Sequence, residues 1–435
     1  MSPMTHSGND AHPPSRGLPA DTPHVAASEE SATAGTQWRR AWTQQDGQAH
    51  ATDLFERTFA AQPATVQSTP GHIALAGSHT DYAGGSALTT VLAHRTYVAA
   101  SARPDGRIRI VSAQAHQVSG PDGVWEGNLD TLATQLGSGW VRHVSGVLSV
   151  FAQRGYPVSG VDMAIESCVP IGAGVGSSAA LEGAVALAAS ESWGLALDNK
   201  AGRAKLASIT LEAETRNVGV PVGGVGQYTA LRCGAGEGHL LDFRSQPPTS
   251  ASRPVYHRDY GMCLMVINLR TPYDLRNGVL AQRKLECDQA AAALGVSSLR
   301  EVAERPRWLQ TVEQISDPVL RSRARHVVTE FHRVALVAAE LSGTGPAQER
   351  FVDIGKAMYR SHHSLAEDFD VSTDAQHLAV NAAFHAGALG ATLMGAGVGG
   401  AAIVLVRKSQ EAATAASVDR AFVERGRTRP EFLTV

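Results

Sequence analysis

The segment from residue 161 to residue 193 constrains the fold most, because it has the pattern of a strand, a glycine loop and a helix in direct succession. VDMAIES has the apolar and β-branched residues of a strand, and the Ala-rich stretch from Ser177 predicts a helix. The loop between them holds Gly172, Gly174 and Gly176, which let the backbone turn tightly and direct N–H groups toward one place. This order predicts an α/β unit with a candidate anion site where the helix begins.

Ser177 and Ser178 are the first two residues of that predicted helix. Their hydroxyl groups, together with the positive end of the helix dipole, are suited to bind phosphate. No Lys follows the last glycine, so the segment is not a GxxxxGK[ST] loop, and its glycine spacing also differs from the GxGxxG dinucleotide pattern. A plain glycine-rich turn remains the alternative interpretation.

Short β-rich segments precede this unit along the chain. HIALAG, LTTVLAHRTYVAASAR and RIRIVSAQ are separated by Gly, Pro and Asp turns, and they predict an N-terminal sheet. A helix is expected from about Gly139 to Arg154. The spacing of Leu54, Phe55 and Phe59 predicts a peripheral helix before the sheet.

Composition restricts the partners of the chain. It has 435 residues, 43% of them hydrophobic, and a formal net charge of −3, so no global positive field attracts nucleic acid or an anionic membrane surface. The four cysteines form no CxxC pair, which argues against a zinc site or a disulfide framework. The sequence has neither a signal-peptide pattern nor an apolar run of about 18 residues. We therefore predict a cytoplasmic protein that acts on a small molecule.

Three glycine-bearing segments occur in a defined order. TPGHIALAGSHTDYAGGSAL spans Thr69 to Leu88, PIGAGVGSSAA follows in the middle of the chain, and LMGAGVGGAAIVLV spans Leu393 to Val406. Together they resemble the three motifs of the GHMP small-molecule kinases, and within these the galactokinase branch. The resemblance covers the chain from about Trp38 to its last residue.

The resemblance implies a fold of the class α/β plus α+β, which is the two-domain GHMP kinase fold with the active site in the interdomain cleft. The Pro-, Ser- and Thr-rich composition of residues 1–37 predicts a disordered tail. We expect an N-terminal domain over 38–235, which carries the sugar signature and the ATP-phosphate loop, and a C-terminal domain over 236–435. The oligomeric state stays open.

The resemblance also implies two cofactors, ATP and Mg²⁺. Hydroxyl and carboxylate oxygens suit a hard cation that bridges phosphates, so Ser177 or Ser178 would bind the metal together with Glu214. The alternative for Glu214 is an ordinary surface glutamate on a helix. The implied ATP-binding residues are Gly172, Gly174, Gly176, Ser177 and Ser178. The glycines implied to shape the floor of the cleft, or else to form a turn before a buried strand, are Gly395, Gly397, Gly399 and Gly400.

The sugar signature differs from that of typical galactokinases. Their first motif usually reads GRxNLIGEHTDY, whereas this chain has GHIALAGSHTDY, so His72 replaces an arginine and Ser78 replaces a glutamate. His79, Asp81 and Tyr82 are retained and are implied to contact the substrate. Asp81 is expected to accept hydrogen bonds from two sugar hydroxyls, with a turn or N-cap aspartate as the alternative.

Two of the changed positions concern one end of the sugar. Ser78 stands where the family glutamate meets the primary hydroxyl of galactose, so the change removes a charge and opens volume. Leu280 stands where the family usually has a tyrosine, and an apolar side chain cannot donate the same hydrogen bond. These changes predict a sugar that is altered or extended at C6, or weak binding of galactose. Gly224 is a further expected substrate contact.

The largest departure concerns the catalytic position. Galactokinases have GVPxGxMDQ, whose aspartate serves as base or orienting group, whereas this chain has GVPVGGVGQ with Gly226 at that place. The family arginine that pairs with the aspartate is His72 here, so the two losses are coupled. His72 is a candidate replacement base because a neutral imidazole titrates near the working pH, and a structural histidine is the alternative.

Two hypotheses about function follow. The first is an ATP-dependent kinase that phosphorylates the anomeric hydroxyl of a non-standard sugar and produces a sugar 1-phosphate. General-base help contributes roughly 10²- to 10⁴-fold, so a kinase without the aspartate remains physically possible. The second is a catalytically silent relative that binds sugar and ATP as a sensor or partner protein.

Overall fold

The computed structural model describes residues 35–118, 120–255, 257–271, 278–395 and 399–435. The predicted tail lies outside the described residues as far as residue 34, whereas Gln37 already belongs to a strand. The described strands are β1 (Gln37–Trp38), β2 (Thr65–Ala76), β3 (Ser86–Arg103), β4 (Arg107–Ser112), β5 (Trp125–Asn128), β6 (Gly160–Ser167), β7 (Glu237–Asp242), β8 (Thr249–Pro254), β9 (Met262–Asn268), β10 (Gly390–Met394), β11 (Ala401–Arg407) and β12 (Glu431–Thr434). The described α-helices are α1 (Gln44–Phe59), α2 (Trp140–Gln153), α3 (Ser177–Ser192), α4 (Lys200–Glu212), α5 (Val225–Arg232), α6 (Val279–Ala293), α7 (Leu299–Ala303), α8 (Trp308–Val312), α9 (Pro318–Ser342), α10 (Ala347–Glu367), α11 (Asp374–His385) and α12 (Glu411–Glu424).

The N-terminal strands form a mixed sheet around β3. Within the described residues the strand order is β5-β4-β6-β3-β7-β8, and β2 pairs with β3 outside this path. The first part of β3 pairs with β7 and the second part with β6, because this strand is 18 residues long and rich in β-branched residues. The antiparallel pairing of β2 with β3 makes residues 77–85 a tight connection, and that connection contains the HTDY part of the sugar signature.

The sequence-based expectations for this region are confirmed. The three predicted β segments are β2, β3 and β4, the helix expected near 139–154 is α2, and the strand–loop–helix unit is β6 followed by α3. The predicted peripheral helix is α1, whose buried Phe55 packs against Tyr97 and Ala164 on one face of the sheet. Helices α2 and α3 contribute to the core that contains Ile108 and Val161 of the sheet.

The second sheet has the strand order β1-β12-β9-β11-β10 among the described residues. Helices α11 and α12 contribute buried residues to the core on one side of it. Another core joins the two sheets, since Ile73 and Leu88 cluster with Val266 and Ile403 together with residues of α9 and α10. This shared core fixes the cleft-forming segments of the two sheets with respect to each other.

Sheet membership crosses the expected domain limits. Strands β7 and β8 lie beyond residue 235 but pair with β3 and with each other in the N-terminal sheet. Strand β1 pairs in parallel with β12 of the second sheet. The boundaries at 37/38 and 235/236 stay predictions.

The described part of the chain contains no helix that is long and apolar enough to cross a lipid bilayer. All four cysteines are free thiols. Cys168, Cys263 and Cys287 are buried, whereas Cys233 is partly exposed.

Candidate active site

A single cavity of about 400 Å³ collects the residues that the sequence singled out. It is lined by the sugar-signature connection, the glycine loop, the start of α3, the segment after α4 and the first turn of α6. The predicted site residues that line it are His72, Ser78, His79, Asp81, Tyr82, Gly172, Gly174, Gly176, Ser177, Ser178, Glu214, Gly226 and Leu280. Gly224 does not line it: this residue precedes α5, and a Cβ built on it would face Leu211 and Tyr228.

The glycine loop presents backbone donors to the cavity. Gly176 precedes α3 with a φ of 74°, a conformation that favours glycine, and no side chain caps this helix. The first intrahelical bond runs from the Ala180 N–H to the Gly176 carbonyl at 2.9 Å, so the N–H groups of Ser177 and Ser178 lie before it. The loop is attached to β2, because the His72 N–H donates to the Val175 carbonyl at 2.9 Å.

The third glycine segment, which begins at Leu393, packs against the glycine loop. A Cβ built on Gly174 would lie 3.4 Å from the Gly395 Cα, and Gly395 itself lines the cavity. Gly399 and Gly400 do not line it: the Gly399 carbonyl accepts a hydrogen bond from Gln376 at 2.9 Å, and the Gly400 carbonyl accepts one from the Leu269 N–H at 3.0 Å. Gly397 lies outside the described residues.

Asp81 sits where the sugar signature meets the segment before α5. Its Oδ2 accepts a hydrogen bond from the Gly223 N–H at 3.1 Å, so part of the carboxylate holds that segment. Burial raises the pKa of Asp81, and backbone hydrogen bonds from Tyr82, Val225 and Gly223 oppose this rise. The carboxylate is therefore rigidly placed on the cavity wall, where its remaining lone pairs can accept hydroxyl donors.

The other signature residues are held by their neighbours. His79 has a φ of 63°, its Nδ1 lies 2.8 Å from the Tyr82 hydroxyl, and its ring lies 4.8 Å from the Phe369 ring. Burial raises the pKa of Tyr82 well above its ordinary value, so its hydroxyl stays protonated. The Ser78 carbonyl lies 3.2 Å from His326 Nε2. In the retained HTDY segment His79 and Thr80 are thus buried, Asp81 and Tyr82 are half-buried, and the side chains are held by their neighbours.

Leu280 lies in the first turn of α6 and is 5% exposed, so it presents an apolar surface to the cavity. Ser78 is half-buried and lines the same cavity. These are the two positions that the resemblance predicts to lie near the C6 end of a sugar. Neither side chain carries a charge there.

His72 occupies a slot between two glycines. A Cβ built on Gly226 would lie 2.8 Å from His72 Cε1 and 3.0 Å from the Ala179 Cβ. A Cβ built on Gly176 would overlap the His72 ring near Nδ1. The buried Nδ1 has no hydrogen-bond partner among the described residues, and burial lowers the pKa of His72 to about 4. The ring is therefore neutral near pH 7, and it takes the volume that an aspartate at 226 would need.

Glu214 belongs to a buried cluster that sequence reasoning missed. His143 Nδ1 lies 2.9 Å from Glu182 Oε1, and the Gln227 amide donates to Glu182 at 3.3 Å and to Glu214 at 3.2 Å. Glu182 is 0% exposed and Glu214 is 1% exposed, which excludes the surface-glutamate alternative for Glu214. A π-helical segment over Ala213–Val218 carries Glu214, and the Glu214 carbonyl accepts the N–H of Gly219 at 3.0 Å.

The two carboxyl groups influence each other. Burial raises the pKa of Glu182 to about 8, and burial together with the charge of Glu182 raises the pKa of Glu214 well above its ordinary value. The neighbouring Ser178 side chain favours the carboxylate form of Glu214. A hydroxyl and a carboxylate that line the same cavity fit an Mg²⁺ ion that accompanies a nucleotide.

The cavity continues into a mostly apolar region that sequence reasoning also missed. Trp140, Ile165 and Leu181 line it, with Ser112 and Gln114 as polar neighbours. Such a lining fits a flat heterocycle whose edge carries a few polar groups. Together with the backbone donors of the glycine loop, the described residues fit a nucleotide such as ATP.

Comparisons with known proteins agree with this geometry. The model of the galactokinase galactose-binding signature matches residues 53–102, that of the GHMP kinases N terminal domain matches 142–234, and that of the GHMP kinases C terminal matches 338–424. A protein named galactokinase from Streptomyces coelicolor is 35% identical over 379 residues, which cover 87% of this chain and 94% of that protein. The chain belongs to the galactokinase family of GHMP kinases. A galactokinase from Mycobacterium tuberculosis is 38% identical and covers 83% of this chain and 94% of the relative.

Solved structures confirm the expected fold class, α/β plus α+β in the two-domain GHMP kinase arrangement. The crystal structure of Lactococcus lactis galactokinase complexed with galactose matches with a TM-score of 0.77 at 25% identity, and covers 88% of this chain and 96% of that one. The Methanococcus jannaschii mevalonate kinase matches with a TM-score of 0.55 at 14% identity, covering 85% of this chain and 97% of that one, which is a likeness of fold alone.

Proposed function

We propose that this galactokinase-family chain is an ATP-dependent sugar kinase that transfers a phosphoryl group to the anomeric hydroxyl of a sugar and forms a sugar 1-phosphate. One observation carries the proposal: Asp81 of the sugar signature and Ser178 with Glu214 beneath the glycine loop line the same cavity. A sugar and a nucleotide phosphate bound to these groups would lie close together. The names of the family relatives support the same class of reaction.

The residues of the chain have separate tasks in this proposal. The N–H groups of the glycine loop and of Ser177 bind the phosphates, while Ser178 and Glu214 hold the metal ion. When bound, ATP would supply the phosphoryl group, and an Mg²⁺ ion held there would neutralise negative charge on the phosphates. Asp81 orients the sugar through its hydroxyl groups, because its carboxylate is already fixed by the Gly223 N–H.

In this proposal His72 replaces the family aspartate as the group that contacts the attacking hydroxyl. The ring is neutral near pH 7 and lies beside Gly226, so its unprotonated nitrogen can accept a hydrogen bond from the hydroxyl that attacks. A base with a pKa of about 4 is weak, so we expect positioning to contribute more than proton removal. Turnover should therefore be slow relative to a kinase with an aspartate at this position.

We propose further that the substrate differs from galactose at C6. Ser78 and Leu280 line the cavity without a charge or a tyrosine hydroxyl, which leaves volume and an apolar surface for a modified or longer C6 end. An extra substituent there would bury apolar area at about 25 cal/mol per Å². Galactose itself should bind more weakly than such a sugar.

The test is turnover of purified protein with Mg-ATP and a panel of hexoses, C6-modified hexoses, heptoses and octoses, followed by ³¹P NMR. We expect a sugar 1-phosphate, with the highest kcat/KM for a sugar altered at C6. Asp81→Asn should lower kcat/KM about 10- to 150-fold, the equivalent of about 1.5–3 kcal/mol for hydrogen bonds to a charged group. Asp53→Asn, at an aspartate that is 66% exposed on α1, is the matched control and should leave it unchanged.

Absence of product from every sugar, combined with sugar-dependent thermal stabilisation, would refute the kinase and favour the silent sugar- and ATP-binding sensor. A second variant addresses the catalytic position: His72→Arg combined with Gly226→Asp should accelerate turnover if C1 of the sugar lies beside residue 226. Unchanged turnover in that variant would mean that the substrate lies differently.

A further inference from the structure

His143, Glu182 and Glu214 have the composition and spacing of a metal site, and the sugar-kinase proposal uses only Glu214 of these three residues. One ligand atom from each residue lies within 4.8 Å of the others. Metal–ligand bonds of about 2.1 Å place donor atoms about 3 to 4 Å apart, so a small inward movement of the side chains would close the site. The set offers one imidazole nitrogen and two carboxylates.

The three side chains come from different elements and are fixed by packing. His143 lies on α2, Glu182 on α3, and Glu214 in the π-helical segment after α4. The Gln227 amide donates to Oε2 of both glutamates at 3.3 and 3.2 Å, which orients the two carboxylates and leaves an oxygen of each for another partner. Gln227 is thus a positioning residue for this cluster.

Charge balance favours a cation in this cluster. Both glutamates are at most 1% exposed, and no ion pair between either of them and a Lys or Arg side chain occurs in the described part of the chain. Two carboxylates that face each other in a buried site repel strongly unless one of them holds a proton or a metal cation lies between them, and a cation that binds here would displace that proton. His143 lines the cavity, as does Glu214, so an ion has a path from solvent to the cluster.

We infer that His143, Glu182 and Glu214 bind a divalent first-row transition metal ion of the Mn²⁺ class without nucleotide, and that His143 gives this site its preference over Mg²⁺. Imidazole nitrogen suits transition metals, whereas Mg²⁺ prefers oxygen ligands and retains its water. The inference does not depend on phosphoryl transfer, because the ion would bind before ATP or sugar.

The test uses the full chain without nucleotide or sugar. Titration with Mn²⁺ alone, followed by the EPR signal of the free ion, should show one bound Mn²⁺ per chain that a tenfold excess of Mg²⁺ does not displace. Electron spin-echo modulation of the bound ion should show coupling to one imidazole ¹⁴N. His143→Gln should lower the Mn²⁺ affinity at least tenfold and leave weak Mg²⁺ binding unchanged, whereas His116→Gln, at an exposed histidine, should change neither.

Several outcomes would overturn the inference: no Mn²⁺ bound without nucleotide, equal competition by Mg²⁺, or wild-type affinity in His143→Gln. The ¹⁴N coupling is measured on the unmodified protein, so absence of that coupling refutes the site even if a variant fails to fold. Sugar phosphorylation in Mg-ATP is assayed separately. A chain that phosphorylates sugar but binds no Mn²⁺ refutes this inference alone, and a chain that binds Mn²⁺ but forms no product refutes the kinase proposal alone.

Discussion

The close packing of His72 between Gly176 and Gly226 can be tested by adding a methyl group at position 226. Gly226 lies in α5 outside the left-handed region, so alanine there is not strained and would gain about 1 kcal/mol of helix propensity. Its new Cβ would however lie 2.8 Å from His72 Cε1, well inside the normal carbon–carbon separation of about 3.5–4.0 Å. Such overpacking costs about 1–3 kcal/mol.

We expect Gly226→Ala to lower the free energy of unfolding by up to about 2 kcal/mol, because overpacking outweighs the propensity gain. In a His72→Ala background the same change should be about 1–3 kcal/mol less destabilising, since the ring is gone. The neighbouring Ala179 Cβ is present in both backgrounds, and its effect cancels. The coupling between positions 72 and 226 is therefore about 1–3 kcal/mol.

Equilibrium urea unfolding of the four proteins in this double-mutant cycle measures the coupling. Gly345→Ala is the matched control, because a Cβ there meets nothing within 4 Å and its effect should be equal in both backgrounds. A coupling below about 0.5 kcal/mol would refute the contact between His72 and Gly226. It would also remove the physical reason for treating two replacements as one change, namely His72 for the family arginine and Gly226 for the family aspartate.

Three further predictions concern stability and reactivity. Burial lowers the pKa of His326 from 6.5 to about 4, so the contribution of this neutral ring to stability is present above pH 6.5 and is lost on acidification. Between pH 7 and 5 the free energy of unfolding should therefore fall by about 2 kcal/mol more in the unmodified protein than in His326→Gln. Equal losses in the two proteins would contradict this prediction. Asp162 accepts from Arg103 at 2.9 Å and from Arg109 at 2.7 Å, so Asp162→Asn should cost about 2 kcal/mol in urea unfolding; a cost as small as that of Asp53→Asn would count against it. Burial raises the pKa of Cys233 to about 12, so mass spectrometry should find it alkylated far more slowly at pH 8 than a free cysteine, and comparable rates would show an accessible thiolate.

Most of the fold could be predicted from the sequence, because the patterns that indicate strands, loops and helices are local. The glycines at 172, 174 and 176 mark a loop, and the alternation before them marks strands, so β6, the loop and α3 could be placed without tertiary information. The three motifs also indicated which residues share a cavity. The contacts of His72 could not be predicted, because the neighbours of a glycine depend on packing between distant segments.

The cluster of His143, Glu182 and Glu214 shows why part of the site escaped sequence reasoning. Glu182 is the single charged residue in the stretch SSAALEGAVALAAS, and a charge in an otherwise apolar helix is a signal that could have been used. Its partners lie 39 and 32 positions away, and they meet it only because α2 and the segment after α4 pack on α3. For Gly224 the sequence indicated the right segment but not which residue faces the cavity.

The structure around the π-helical segment at 213–218 should be affected more by the deletion of a residue than by the substitution of a side chain. Each π turn bonds residue i to residue i+5, as the Glu214 carbonyl does with Gly219, so it holds one residue more than an α turn. Shortening the segment by one residue would replace the π turn with an α turn and draw the chain after Val218 back toward the helix. Exposed positions such as Arg216 should tolerate substitution, whereas a deletion there would move the loop that Asp81 holds.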